Sequence, residues 1–113
     1  MNEKFQPLLQ EFILEGKDDY IGFWEIINGV RKCLQIDERK MTVSEASELW
    51  TGISDLITIM LKNGFAAVDL ASHGSCIPWQ KQDPEYVLGR IKDKWIVTKD
   101  KSIGFEFWFA LKE

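Results

Sequence analysis

Residues 42–70, TVSEASELWTGISDLITIMLKNGFAAVDL, combine a helix start, a long apolar stripe, a glycine stop and a strand pattern in one run. Thr42 and Glu45 have the spacing of a capping box, in which the hydroxyl and the carboxylate satisfy two backbone amides at the helix start. Apolar residues at helical spacing follow for about five turns. Gly64 is expected to end this helix, because glycine adopts the left-handed conformation at little cost. Phe65–Leu70 then alternates as a short strand.

Two helices are predicted before this one. Residues 2–15 carry a single apolar stripe at helical spacing, and Gly16 is placed to end that helix. Residues 20–35 are expected to form the second helix, with Asp18 or Asp19 as its cap. Its predicted core face carries Tyr20, Phe23, Trp24, Ile27, Val30 and Leu34.

The C-terminal half adds a fourth helix and a second strand. Asp83, Pro84 and Glu85 are typical of a helix start, as cap, first residue and first-turn acid. Residues 95–98 fit the end of this helix or the start of a strand, and periodicity does not decide between them. Residues 104–112 alternate as a strand with one deeply buried face. That face is predicted to carry Phe105, Phe107, Phe109 and Leu111.

The composition indicates one folded domain over residues 1–113. Hydrophobic residues make up 45% of the chain, with five Trp and seven Phe, and disordered chains are poor in such residues. The expected class is α+β, with three helices in the N-terminal half and a fourth helix packed on a small C-terminal β-sheet. The sequence contains no apolar run of about 18 residues and no secretory signal pattern. We therefore expect a cytoplasmic protein with no membrane contact, in which Cys33 and Cys76 are free thiols.

The net charge of −4 is unevenly distributed. Residues 1–56 contain 11 acidic and 6 basic residues, whereas residues 57–113 contain 7 acidic and 8 basic residues. An acidic N-terminal half repels phosphate backbones and attracts basic partners. Ordinary solubility also accounts for a charge of this size.

The residues that suggest catalysis lie after the first predicted strand. His73 is the single histidine, and Cys76 follows three residues later. Nucleophilic catalysis also needs an orienting group and an oxyanion site, and a zinc site needs about four ligands. No glycine-rich phosphate-binding motif is present. We therefore expect no catalytic residue, no metal, no cofactor and no enzymatic activity, and a small enzyme that uses the His73/Cys76 loop is kept as an alternative.

A winged-helix-like regulator that binds nucleic acid is the other alternative. The third helix would be its recognition helix, but the solvent side of that helix is acidic and repels phosphates. A basic cluster lies further along the chain, diluted by two aspartates, at Arg90, Lys92, Lys94, Lys99 and Lys101. Nucleic acid is therefore not the expected partner.

Four segments carry a resemblance to known families. The stretch 50–64, Trp79, DPEYVLGRIKDKW (83–95) and EFWF (106–109) are similar to a bacterial domain family of unknown function. A small acidic protein with a helical N-terminal half and an aromatic C-terminal strand resembles the immunity proteins of contact-dependent growth inhibition and related polymorphic toxin systems. This resemblance implies a cytosolic inhibitor that binds and blocks a toxin domain. It carries no functional residues over to this chain.

The expected partner is therefore a basic protein, a toxin domain if the resemblance holds. Helix geometry gathers one acidic set at the end of the first helix and another on the outward face of the third helix. Trp79, in the irregular stretch 71–82, is a candidate anchor for the partner. The alternative is that its ring folds back over the edge of the core. The residues predicted to bind the partner are Glu11, Glu15, Asp18, Asp19, Glu45, Glu48, Asp55 and Trp79.

Overall fold

The structure, a computed structural model, describes residues 3–72, 74–98 and 107–112 of the chain. Within these ranges the helices are α1 (Gln6–Gly16), α2 (Phe23–Leu34), α3 (Val43–Lys62) and α4 (Pro84–Thr98). The strands are β1 (Ile21–Gly22), β2 (Phe65–Leu70), β3 (Cys76–Pro78) and β4 (Trp108–Leu111). Single 3-10 turns lie at Glu3–Phe5 and Glu38–Lys40. The described residues form the predicted α+β class.

The bounds of α3 and β2 agree with the prediction. The predicted alternation of β2 is wrong, because its first four residues are all buried and its last two are exposed. The Glu45 amide donates to Thr42 Oγ1, and the Thr42 amide donates to Glu45 Oε1, each at 3.1 Å. Gly64 has a positive φ of 95°, which stops the helix and turns the chain into β2. The carbonyl oxygen of Gly64 accepts a hydrogen bond from the Lys112 amide at 2.7 Å. The residue that ends α3 therefore also binds the backbone of Lys112.

The strands pair in the order β1-β4-β2-β3, with every pair antiparallel. Phe109 of β4 lies opposite Ile21 on one side and Ala67 on the other. On the far side of β2, Leu70 pairs with Cys76 of β3. The last described strand is therefore central in the sheet and joins the two halves of the chain.

One apolar cluster contains residues from the helices and from the sheet. The buried residues of this cluster include Ile53, Ile57 and Met60 on α3, Val87 and Ile91 on α4, and Phe107 and Phe109 of the predicted strand face. Trp50 is half-buried and packs against this cluster rather than inside it. Phe105 lies outside the described residues. The two periodicities, one helical and one of the strand type, thus identify much of the described core, but Leu111 of the predicted strand face is only partly buried and Trp24 of the predicted helix face is exposed.

The second helix begins later than predicted. Ile21 and Gly22 form β1 instead of helix, because Ile21 is fully buried against β4. The aspartates that precede β1 therefore do not cap α2. Instead the carboxylate of Glu25 accepts a hydrogen bond from the Gly22 amide at 2.9 Å. A helix that starts at Phe23 turns Ile26 into the core and leaves Trp24 42% exposed, so the prediction of Trp24 as a core residue is wrong.

Gly16 has a different role from the predicted helix stop. The residue belongs to α1, and Lys17 after it keeps a helical φ of −69°. A Cβ on Gly16 would lie 3.1 Å from Leu111 Cβ and 3.2 Å from the ring of Phe65. The missing side chain therefore allows α1 to pass close to the sheet.

The remaining differences between the predicted and the observed elements lie in the C-terminal half. The backbone of residues 95–98 is helical, so this run finishes α4. The stretch 71–82, expected to be irregular, contains the three-residue strand β3. Of the strand predicted at 104–112, the described part is β4, and residues 99–106 lie outside the described residues. None of the helices in the described part of the chain is both long and apolar enough to span a lipid bilayer.

Replacing Phe107 by alanine is expected to destabilise the fold by about 3–5 kcal/mol, since the ring is lost from a close-packed core. Phe107 is 4% exposed and makes edge contacts with the rings of Phe23 and Trp79, each at 5.9 Å between centroids. Urea unfolding measures the change. Leu14→Ala is the control, because Leu14 is 64% exposed. An unfolding midpoint for Phe107→Ala as close to wild type as that of the control would contradict the core assignment.

Candidate partner-binding site

Helices α1 and α2 enclose a groove of about 460 Å³ between them. Its residues come from both helices: Pro7, Leu8, Glu11, Phe12, Glu15, Trp24, Glu25, Asn28, Gly29, Lys32 and Cys33. The floor is apolar, because Leu8 and Phe12 are buried core residues. A Cβ on Gly29 would lie 2.8 Å from the methyl carbons of Leu8, so a glycine is what brings α2 this close to α1. We call this feature the α1–α2 groove.

Three carboxyl groups line the groove. Glu11 and Glu15 belong to the set predicted from the sequence, and Glu25 comes from the first turn of α2. The carboxyl groups of Glu15 and Glu25 are close enough to share a hydrogen bond. Sequence reasoning missed Glu25 because it placed the start of the second helix too early. A helix start at Phe23 would have identified Glu25 as the residue that caps the helix.

The environment of Glu15 raises its pKa from the ordinary 4.5 to about 7. Partial burial of the carboxyl group is the largest cause, followed by the hydrogen bond to Glu25. The negative charges of Glu25, Asp19 and Glu11 act in the same direction. Near neutral pH the carboxyl group of Glu15 is therefore protonated for part of the time.

Trp24 places a large aromatic ring beside these carboxyl groups. Its side chain is 42% exposed and lines the groove. An aromatic face attracts cations, and carboxylates form charge-assisted hydrogen bonds with them. The α1–α2 groove therefore has the chemistry of a site for a positively charged group with an apolar stem.

The two predicted aspartates lie elsewhere. Asp18 and Asp19 are exposed and line a second cleft of about 260 Å³, together with Tyr20 and Leu111. The charge of Asp19 still acts on Glu15. The acids predicted near the end of the first helix therefore line two different concave surfaces: Glu11 and Glu15 line the groove, and Asp18 and Asp19 line the second cleft.

The acidic set on α3 is not part of the groove lining. Glu48 and Asp55 are exposed, as expected of an outward helix face. Glu45 is half-buried, and its carboxylate accepts the Thr42 amide in the capping box. Reversing its charge would remove a helix cap as well as a surface charge. Glu45 is therefore unsuitable for a test of partner binding.

Trp79 is not the exposed anchor that was predicted. The side chain is only 6% exposed, and its indole N–H donates to Asp69 Oδ1 at 3.0 Å. The guanidinium of Arg90 lies 4.0 Å from the ring centroid. A tryptophan buries readily once its N–H has an acceptor, and Asp69 on β2 supplies one. The ring thus folds back over the core, and one member of the predicted basic cluster packs on it.

The loop residues weighed for catalysis are only partly described. His73 lies outside the described residues. Cys76 is half-buried in β3, and it and Cys33 are free thiols, as predicted. Among the residues that the structure describes, no group of three His, Cys, Asp or Glu side chains is arranged to hold a metal ion.

No protein-family model, curated protein sequence or solved structure matches this chain.

Replacing Glu15 by glutamine is expected to stabilise the fold above pH 7 and to have little effect near pH 4.5. The folded chain binds the Glu15 proton more tightly than the unfolded chain, because the pKa rises from 4.5 to about 7 on folding. This contribution to stability is complete below the unfolded pKa and is lost as pH rises through the folded pKa. Glutamine stays neutral throughout.

The measurement is the urea midpoint of wild type and Glu15→Gln across this pH range. Glu48→Gln, at an exposed acid outside the groove, is the matched control. Equal midpoints for wild type and Glu15→Gln at high pH would show that folding does not raise the pKa of Glu15.

Proposed function

We propose that this protein is a small cytoplasmic binding protein without catalytic activity, which docks a basic protein on its acidic N-terminal half. The partner class that we propose is a toxin domain, which the protein binds and blocks as an immunity protein. One observation supports this most directly. Two acids predicted from the sequence, Glu11 and Glu15, meet Glu25 and the exposed ring of Trp24 in one groove.

The combination of charge and apolar surface favours a protein partner over nucleic acid. Carboxylates repel the phosphate backbone that supplies most of the non-specific affinity for nucleic acid. The same carboxylates raise the association rate of a positively charged protein. Affinity then needs a buried anchor, since rim charges contribute little. Trp24 supplies an aromatic surface beside the carboxylates, and tryptophan is enriched at such anchoring positions.

The direct test is to capture the partner from the native host on the immobilised protein and then to purify both chains. A basic protein that forms a stoichiometric complex, and whose toxic activity falls on adding this chain, is the expected result. A captured species that is nucleic acid, or a protein whose activity does not change in the complex, would contradict the proposal.

Charge reversal is expected to locate the docking surface. The double variant Glu11→Lys with Glu15→Lys should slow association with the captured partner by about tenfold at low salt, and the difference should shrink as salt screens the charges. Stopped-flow measurement of the association rate checks this. Glu48→Lys with Asp55→Lys is the matched control, because it changes the net charge equally on exposed acids outside the groove. Equal slowing by both pairs would mean that net charge, and not the groove, controls docking.

Cys76 and His73 are expected to be dispensable for partner binding and for growth protection. Cys76→Ser and His73→Ala should each leave partner affinity and growth protection in the host within about twofold of wild type, since binding needs neither a nucleophile nor a base. Calorimetry with the captured partner and a growth assay measure the two quantities. A variant that folds normally but loses protection would favour a catalytic or metal-binding role for the loop.

A further inference from the structure

Building on the proposed function, we propose that the α1–α2 groove is a receptor for one arginine side chain of the partner. The guanidinium group is held by the carboxylates of Glu15 and Glu25 and lies against the ring of Trp24.

The carboxyl groups of Glu15 and Glu25 are in contact at the groove. Two carboxyl groups that share a hydrogen bond repel each other when both are ionised, so a positive charge between them is stabilising. The charges that raise the pKa of Glu15 come from Glu25, Asp19 and Glu11, all of them acidic. In the unbound chain a proton on Glu15 relieves this repulsion. A cation from a partner relieves it equally well.

The shape and surroundings of the groove select arginine over other cations. A guanidinium is planar and offers several N–H donors in a fixed geometry, so it can bind two carboxylates at once. Its flat face also stacks on an indole ring, and its hydration is weaker than that of a lysine ammonium. The groove of about 460 Å³ has room for this side chain and its neighbours in the partner. The apolar floor at Leu8 and Phe12 suits the aliphatic stem.

When the arginine side chain binds, Glu15 releases its proton and the guanidinium takes the place of that proton. Arginine remains charged at every pH of interest, so the pH dependence comes from the groove. Besides the three acids, the titratable groups that line the groove are Lys32 and Cys33. Burial and the charge of Glu11 raise the pKa of the Cys33 thiol, which keeps it protonated near neutral pH. Affinity should therefore rise with pH until Glu15 is fully ionised and then become constant.

The test uses the full chain, labelled with 15N, and three capped tripeptides that differ in the central residue: arginine, citrulline or lysine. Citrulline has nearly the shape of arginine without its charge. The expected result is a saturable shift of the Trp24 indole N–H with the arginine peptide, weaker binding of the lysine peptide and no saturation with citrulline. For wild type, affinity for the arginine peptide should be about tenfold lower near pH 6 than near pH 8.

Two variants distinguish binding in the groove from general attraction between the acidic protein and a positively charged peptide. Glu15→Gln should bind the arginine peptide more weakly above pH 7 and with no pH dependence, whereas Asp55→Asn should behave as wild type in both respects. Glu15→Gln is isosteric, and its 15N spectrum is recorded first to check that it is folded. The inference is overturned if arginine and citrulline peptides bind equally, if neither saturates, or if Glu15→Gln keeps the wild-type pH dependence.

The two proposals fail in different experiments. If reversal of Glu11 and Glu15 slows association of the captured partner but the arginine peptide does not bind, the inference is wrong and the proposed function stands. If the peptide binds as described but no basic partner forms a complex, the groove chemistry is correct and the proposed function is wrong.

Discussion

The pairing of β4 between β1 and β2 is the constraint from which the rest of the architecture follows. It takes Ile21 and Gly22 into the sheet, so the second helix cannot begin before Phe23. The Phe23 amide donates to the carbonyl oxygen of Phe107 at 2.9 Å, which ties the helix start to the chain just before β4. A strand near the C-terminal end of the chain therefore sets the rotation of a helix in the N-terminal half.

The candidate site is a consequence of that rotation. A helix that starts at Phe23 buries Ile26 and Val30 and turns Trp24 outward. It also places Glu25 in the first turn, where its carboxylate caps the helix through the Gly22 amide and meets Glu15 across the groove. Glu25 thus contributes both to the fold and to the electrostatics of the groove. The repulsion it shares with Glu15 opposes stability above neutral pH, in the surface that we propose for the partner.

The sequence predicted the features that depend on neighbours along the chain. The capping box at Thr42, the stop at Gly64 and the strand after it each follow from a few adjacent residues, and the structure confirms them. The two-residue strand β1 carries no periodicity of its own and exists only because β4 pairs with it. The sequence left open whether Trp79 is an exposed anchor or folds back over the core, because the carboxylate of Asp69, ten residues earlier, was not known to lie beside it.

The same limit applies to the candidate site. Glu11 and Glu15 lie one helical turn apart and were found from sequence spacing. Glu25 and the exposure of Trp24 depend on where α2 begins, which a distant strand decides. Asp18 and Asp19 follow α1 directly in sequence, yet they line a different cleft. Spacing along one helix therefore identified Glu11 and Glu15, whereas the positions of Glu25 and Trp24 in the groove depend on tertiary packing.

The lengths of the outer strands limit how this protein can meet other chains. One edge of the sheet is β1, two residues that run straight into a helix, and the other is β3, three residues that end in Pro78. Proline has no amide hydrogen to donate, and short edges give an incoming strand few backbone groups to bind. Growth of the sheet by strand addition is thus discouraged on both sides, including self-association into fibrils. In the described part of the chain, recognition through side chains is therefore favoured over strand addition.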